Sequence, residues 1–344
     1  MHGRFVVMLA AIVATAAVAS GQGQRRLNPM IELLSQNKPV FGLYAPSIPR
    51  TRSGATGALP GGAARTPPYV PPVSTAAPPS PPKTAAQLAQ DALANRTTDF
   101  IFDGTMEGGM ERALPAFTEF VKGMAASGSF PKSPAGLLTH PLVVKMHEIA
   151  PDPKAAAASI SKQLNLGVSG IMFVSVESAE EAKAGIAAMR FKSKGGMRPD
   201  DVGQAPKLWG VSEKDYREKA DLWPLNPNGE LINWTIIESK EGLAHIREIA
   251  AVPGVGVLWP GAGTLRGVFS TTNPDGTRKL DEAAWEAAIQ QVLSACKEFK
   301  LACGYPASPN DIEMRMKQGF NVFVMNWGEP GFKAIEIGKK LAGR

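Results

Sequence analysis

Four short groups of residues in this 344-residue sequence place reactive side chains directly after apolar runs. Glu238 closes the β-branched run 232–237, where a buried parallel strand would meet its following loop. Gly261-Ala262-Gly263-Thr264 follows a second apolar run, 255–258. Polar groups beside glycine-rich turns at strand ends are where α/β barrels place their chemistry. Val143-Val144-Lys145-Met146-His147 ends a third run with a cation and an imidazole. A lysine inside a barrel can form a Schiff base if its pKa falls. His147 is a candidate base if the backbone bends; otherwise it points to the opposite face as a structural histidine. Asp103-Gly104-Thr105-Met106-Glu107 follows the run 99–102, and Glu107 is either a substitute acid–base group or a solvated loop glutamate.

The elements that must position these groups alternate. Strands are expected to start near 40, 99, 142, 170, 232, 255, 301 and 320, and helices are expected over 27–36, 84–95, 111–127, 152–166, 242–250, 281–299, 309–318 and 332–341. Eight strands alternating with helices predict a (β/α)8 TIM barrel. Residues 45–83 are a low-complexity insertion after the first strand, rich in Pro and Ala. The reading is a solvated surface loop, with a lid or partner-binding segment as the alternative.

Residues 1–21 read as a signal peptide: Arg4 precedes the apolar run 5–18, and Ala17-Val18-Ala19 fits a cleavage site. The alternative is an uncleaved N-terminal anchor. Export predicts a periplasmic or secreted protein with one barrel domain over 22–344 and no membrane association after cleavage. The net charge of +6 comes from scattered basic residues without interleaved aromatics, which argues against nucleic-acid binding. There is no phosphate loop, dinucleotide fingerprint or nucleophile elbow. Cys296 and Cys303 are read as buried thiols, with pairing across a helix end and a strand as the alternative.

The central stretch 231–267 resembles the HpcH/HpaI aldolase and citrate lyase β-subunit family. Ile236-Ile237-Glu238 matches that family's strand ending in a glutamate metal ligand. Gly261-Ala262-Gly263-Thr264-Leu265 stands where the family has a G-P-A-D-L type loop, with Thr264 in place of the metal-binding aspartate. Val176-Glu177-Ser178-Ala179-Glu180-Glu181-Ala182 is similar to V-E-T-A-E-E-A, and Gly195-Gly196-Met197-Arg198-Pro199 to P-x-G-x-R-G. Two further positions depart from the pattern: Lys145 replaces the arginine that binds keto-acid oxygens, and Met106 replaces a proton-transferring histidine. Lysine keeps the charge but lacks the bidentate fork.

The resemblance implies a carbon–carbon lyase acting on a small 2-oxo or hydroxy acid through a metal-stabilised enolate. Glu238 and Thr264 would hold Mg²⁺ or Mn²⁺. Lys145, Gly261, Gly263, Thr264 and Arg198 would bind substrate, and Lys145 and His147 would act in catalysis. It also implies homo-oligomers, with Trp209, Tyr216 and Trp223 at a subunit interface. Two alternatives weaken this: Glu238 pairs with Lys145 as an ordinary ion pair, or the chain is a non-catalytic exported barrel binding a small acid or a protein partner.

Overall fold

Alternate side chains of a strand point to opposite faces, and in a closed barrel one of those faces must fill the centre. The computed structural model describes residues 26–46 and 82–344. Its barrel strands are β1 (Val40–Tyr44), β2 (Phe100–Asp103), β3 (Leu142–Lys145), β4 (Gly170–Phe173), β5 (Leu231–Ile237), β6 (Val257–Pro260), β7 (Ala302–Pro306) and β8 (Val322–Met325). All neighbours are parallel. The ring closes where Val40 of β1 pairs with Val322 of β8 and Gly170 of β4 pairs with Ile232 of β5. This is the predicted (β/α)8 barrel. The expected leader, 1–21, and residues 47–81 of the expected insertion lie outside the described residues.

The centre is aromatic. Trp234 stacks on Trp259 at 5.4 Å and on Phe102 at 5.8 Å, with Phe100 edge-on at 5.4 Å. Val40, Val143, Met172, Val257, Val322 and Val324 complete the same buried cluster. Such large rings fit only because two strands present no side chain opposite them. A Cβ on Gly42 would sit 2.1 Å from the Phe100 ring, and one on Gly304 would sit 1.9 Å from Trp259.

The N-terminal end of the barrel is plugged. Helix Pro29–Ser35 sends Met30, Ile31 and Leu34 into the central cluster. Asn28 caps that helix by accepting from the Met30 N–H, and its own N–H and Nδ2 bind the Glu230 carboxylate and carbonyl at the start of β5. Among the described residues this end is shut, and the C-terminal ends of the strands are the open ones.

Outer helices are delimited by side-chain caps that satisfy first-turn N–H groups. Thr84 and Gln87 form a capping box, and Asp152, Ser178 and Asp281 each accept from the third residue of their helix. The helix expected over 242–250 is interrupted at His245, giving Lys240–Ala244 and Ile246–Ala250. The His245 ring is turned to the Glu177 carbonyl at 2.9 Å. A two-residue strand, Leu222–Trp223, beside β5 and a hairpin, Ser270–Thr272 with Arg278–Leu280, are additions that the sequence pattern did not suggest.

The cysteines are paired: Cys296, near the end of helix Glu282–Phe299, is disulfide-bonded to Cys303 of β7. The free-thiol reading is therefore corrected, because the chain reverses over Lys300 in the left-handed region and brings the two Cα atoms to 5.7 Å. Among the described residues no helix is long and apolar enough to cross a membrane.

Candidate active site

Lys145 is the last residue of β3 and reaches the open end of the barrel with 16% of its side chain exposed. Its Nζ lies 2.7 Å from Glu107 Oε1. Glu107 belongs to a four-residue 3-10 turn, Thr105–Gly108, that leaves β2 through Asp103 and Gly104. Asp103 shapes this turn by accepting the Thr105 N–H at 2.9 Å and the Thr105 hydroxyl. The Lys145–Glu238 pair weighed as an alternative does not form: Lys145 pairs with Glu107, and Glu238 is committed to Ser175.

Glu238 follows β5 and is buried at 6% exposure. Its Oε1 accepts the Ser175 N–H at 3.1 Å and the Ser175 hydroxyl at 3.2 Å. Ser175 has φ 49°, a left-handed conformation that costs a side-chain-bearing residue about 1–2 kcal/mol. That turn aims both donors at one carboxylate oxygen. Gly261 completes the seat: its N–H donates to the Ile237 carbonyl at 2.8 Å, and a Cβ there would lie 2.4 Å from the Glu238 Cβ and 2.8 Å from Oε2. Only glycine admits this glutamate.

The other predicted site residues separate. The glycine-rich segment is the start of helix Ala262–Val268, so Gly263 and Thr264 are exposed on it, and Thr264 makes no hydrogen bond to Glu238. His147 Nδ1 lies 2.9 Å from the Glu148 carbonyl, to which it donates, and Nε2 lies 3.0 Å from Ser159 Oγ. Both ring nitrogens are engaged within the chain, and His147 ties β3 to helix Pro153–Asn165.

Arg198 is 1% exposed and binds Asn165 Oδ1 at 2.8 Å and the Tyr216 hydroxyl at 3.2 Å, with its guanidinium 4.3 Å over Phe191. Asn165 ends a helix that runs back from the mouth, so Arg198 lies at the plugged end and not among the substrate contacts expected of it. Trp209 and Tyr216 are buried against the same cluster, edge to face at 4.8 Å. They serve this chain's own core, where the sequence suggested an interface.

Two cavities open at the mouth. One, of about 380 Å³, is lined by Tyr44, Asp103, Glu107, Lys145, Asn326 and Trp327 among others. The second, of about 280 Å³, is bordered by His147, Asp152 and Ser175. Glu107 borders both. Burial raises the pKa of the Tyr44 phenol, and the nearby Glu107 carboxylate adds to the rise. Tyr44, Asn326 and Trp327 were not singled out from the sequence; the inward period-2 positions at the ends of β1 and β8 carry the signal that points to the first two.

Among the described residues the donor set does not fit a divalent cation held by side chains alone. Among the described residues no three His, Cys, Asp or Glu side chains come together as ligands. Glu238 stands with one oxygen already bonded twice, and the hydroxyl expected beside it faces solvent.

The barrel, its strand-end glutamate and its strand-end cation are accompanied by a direct match. Residues 142–328 match the model of the HpcH/HpaI aldolase/citrate lyase family, and the chain belongs to that family. It is 28% identical over 154 residues to a hydroxypyruvate/pyruvate aldolase of Paraburkholderia phytofirmans, covering 44% of this chain and 55% of that one. It is 27% identical over 164 residues to a 2-dehydro-3,6-dideoxy-6-sulfogluconate aldolase of Pseudomonas putida, covering 47% and 58%. The chain thus spans about half the length of the curated relatives it matches. Among solved structures, a family protein from Burkholderia cenocepacia J2315 superposes with TM-score 0.58 over 92% of this chain and 96% of that one; at 17% identity this shows the shared fold.

Proposed function

We propose that the chain is a carbon–carbon lyase of the aldolase type acting on a small 2-oxo or hydroxy acid at the Lys145 cavity. The observation that carries the proposal is the position of Lys145: a cation at the end of β3, facing a cavity of about 380 Å³, in a chain of an aldolase family. The substrate carboxylate pairs with Lys145. Cleavage removes the proton of the hydroxyl beside the scissile bond, the bond electrons pass into an enolate, and a carbonyl fragment leaves. Lys145 stabilises the charge that develops on the enolate oxygen. Asp103 and Glu107 line the same cavity and are the carboxylates placed to carry the proton. Glu238 is held by Ser175, which borders the neighbouring cavity.

The test is exchange of the pyruvate methyl protons in D₂O, followed by NMR, with Mg²⁺, Mn²⁺ or EDTA. Exchange that disappears in Lys145→Ala supports the proposal, and cation dependence lost in Glu238→Ala would restore a metal to the site. Exchange that persists in EDTA and yields a borohydride-trapped adduct on Lys145 makes the lysine a Schiff-base former. No exchange under any condition moves the reading to a non-catalytic barrel that binds a small acid or a protein partner.

Export to an oxidising compartment is part of the proposal. The leader-like residues 1–21 and the Cys296–Cys303 disulfide support it. Homo-oligomer assembly rests on the family resemblance alone, and sedimentation equilibrium tests it.

A further inference from the structure

The cation on which the proposed function rests is already occupied. Glu107 sits 2.7 Å from Lys145, in the position a substrate carboxylate would take. The two partners are not equally held. Lys145 is 16% exposed at the end of an inward-facing strand, whereas Glu107 is 45% exposed on a turn that ends in Gly108 and is flanked by Gly104 and Gly109. Met106, fully buried, pins the backbone of that turn in the core. Displacement therefore needs only a change of Glu107 rotamer. Glu107 borders both mouth cavities, so the same movement changes the lining of each.

We propose that Glu107 is a built-in competitor for the anion site on Lys145: it weakens every anionic ligand by the same factor, so that α-oxo acids still occupy the site and simple carboxylates do not. This rests on the proposed function above. The physical argument is one of exchange. A tethered carboxylate acts at high effective concentration. A free monocarboxylate that replaces it trades one oxyanion for another and also loses translational freedom, so it gains nothing. An α-oxo acid offers its carboxylate and the adjacent carbonyl oxygen to an ammonium that has three N–H donors. Only a ligand with that second oxygen gains more than the tether gives up. The preference is set by the second oxygen at Lys145, and the tether lowers both affinities alike, which puts the weaker ligand below the level at which it occupies the site.

The experiment is calorimetric binding of oxalate and acetate to the full chain in EDTA-containing buffer. Oxalate carries two adjacent carboxyl groups and mimics the enolate of an α-oxo acid, and acetate carries one. The parent is expected to bind oxalate and to show no measurable acetate binding. Glu107→Gln is expected to bind oxalate about fivefold more tightly, the worth of a partly exposed ion pair, and to gain measurable acetate binding. Glu107→Ala should behave alike, which separates loss of the charge from any local effect of the amide. Lys145→Gln should lose both ligands, and adding Glu107→Gln to it should restore neither. Unchanged or weaker oxalate binding in both Glu107 variants, with the parent still dependent on Lys145, overturns the competitor role and leaves the proposed function standing. Absence of oxalate binding in the parent and in both Glu107 variants overturns the competitor role, and the exchange experiment with Mg²⁺ or Mn²⁺ then decides the proposed function separately.

Discussion

Ser175 is where the geometry makes its sharpest demand. Its left-handed backbone aims an N–H and a hydroxyl at Glu238 Oε1. Replacing Ser175 by Ala removes the hydroxyl and keeps the strain. A hydrogen bond to a charged group contributes about 1.5–3 kcal/mol, and the 3.2 Å separation is long for a hydroxyl donor, so the lower end applies. Ser175→Ala should therefore cost about 1.5 kcal/mol. Ser175→Gly loses the same bond but recovers about 1 kcal/mol of left-handed strain, net of glycine's extra chain entropy. Its expected cost is about 0.5 kcal/mol. Urea unfolding of the three proteins, analysed at a common slope, reads these differences as shifts in midpoint. If the Gly variant is as destabilised as the Ala variant, the strain is not real. If the Ala variant is indistinguishable from the parent, the hydroxyl does not hold Glu238.

Other perturbations test other parts of the molecule. Gly304→Ala drives a methyl group into the Trp259 ring and should cost about 3 kcal/mol, read as a lowered Tm with loss of near-ultraviolet circular dichroism. Reducing Cys296–Cys303 opens a loop with a sequence separation of 7 and should cost about 2 kcal/mol, measured by unfolding with and without reductant. For Asp221, burial alone would raise the carboxyl pKa, but hydrogen bonds from Arg190, Asn226 and the Leu222 N–H outweigh it, and the net shift is downward from 3.8. A depressed carboxyl contributes stability above its unfolded value, and that stability is lost as pH falls through the folded value. Asp221→Asn should thus cost about 2–3 kcal/mol at neutral pH, with the gap to the parent closing in acid; a pH-independent gap would refute the assignment.

Much of this was legible because it is periodic. Strand positions followed from apolar runs, and Lys145 and Glu238 stood out because each ends such a run. What escaped was set by tertiary geometry. Ser175 looks like any serine in Val174-Ser175-Val176 until its φ is known. Glu107 was weighed as a loop carboxylate, but its partnership with Lys145 depends on how far a 3-10 turn carries it over the mouth. Thr264 was assigned by its place in a family motif, and the helix that begins at Ala262 turned it to solvent. Arg198 was misplaced for a related reason: a motif gives order along the chain, while the end of the barrel it occupies depends on which way the preceding helix runs. Cys296 and Cys303 left both readings open because their spacing spans a helix end whose reversal a sequence does not specify.

The plug at the N-terminal end of the barrel has a consequence in time. Helix Pro29–Ser35 is among the first of the described elements to be synthesised, yet Asn28 is fixed by Glu230, 202 residues further along. At ordinary elongation rates that interval is about 10–40 s. During it, Met30, Ile31 and Leu34 have no barrel to enter. The earliest helix is consequently one of the last to be seated, and the nascent chain carries an unsheltered apolar face through most of its own synthesis. A folding helper that holds this face, or a delay that keeps the whole chain unfolded until Glu230 is available, would determine yield as strongly as the stability of the finished barrel.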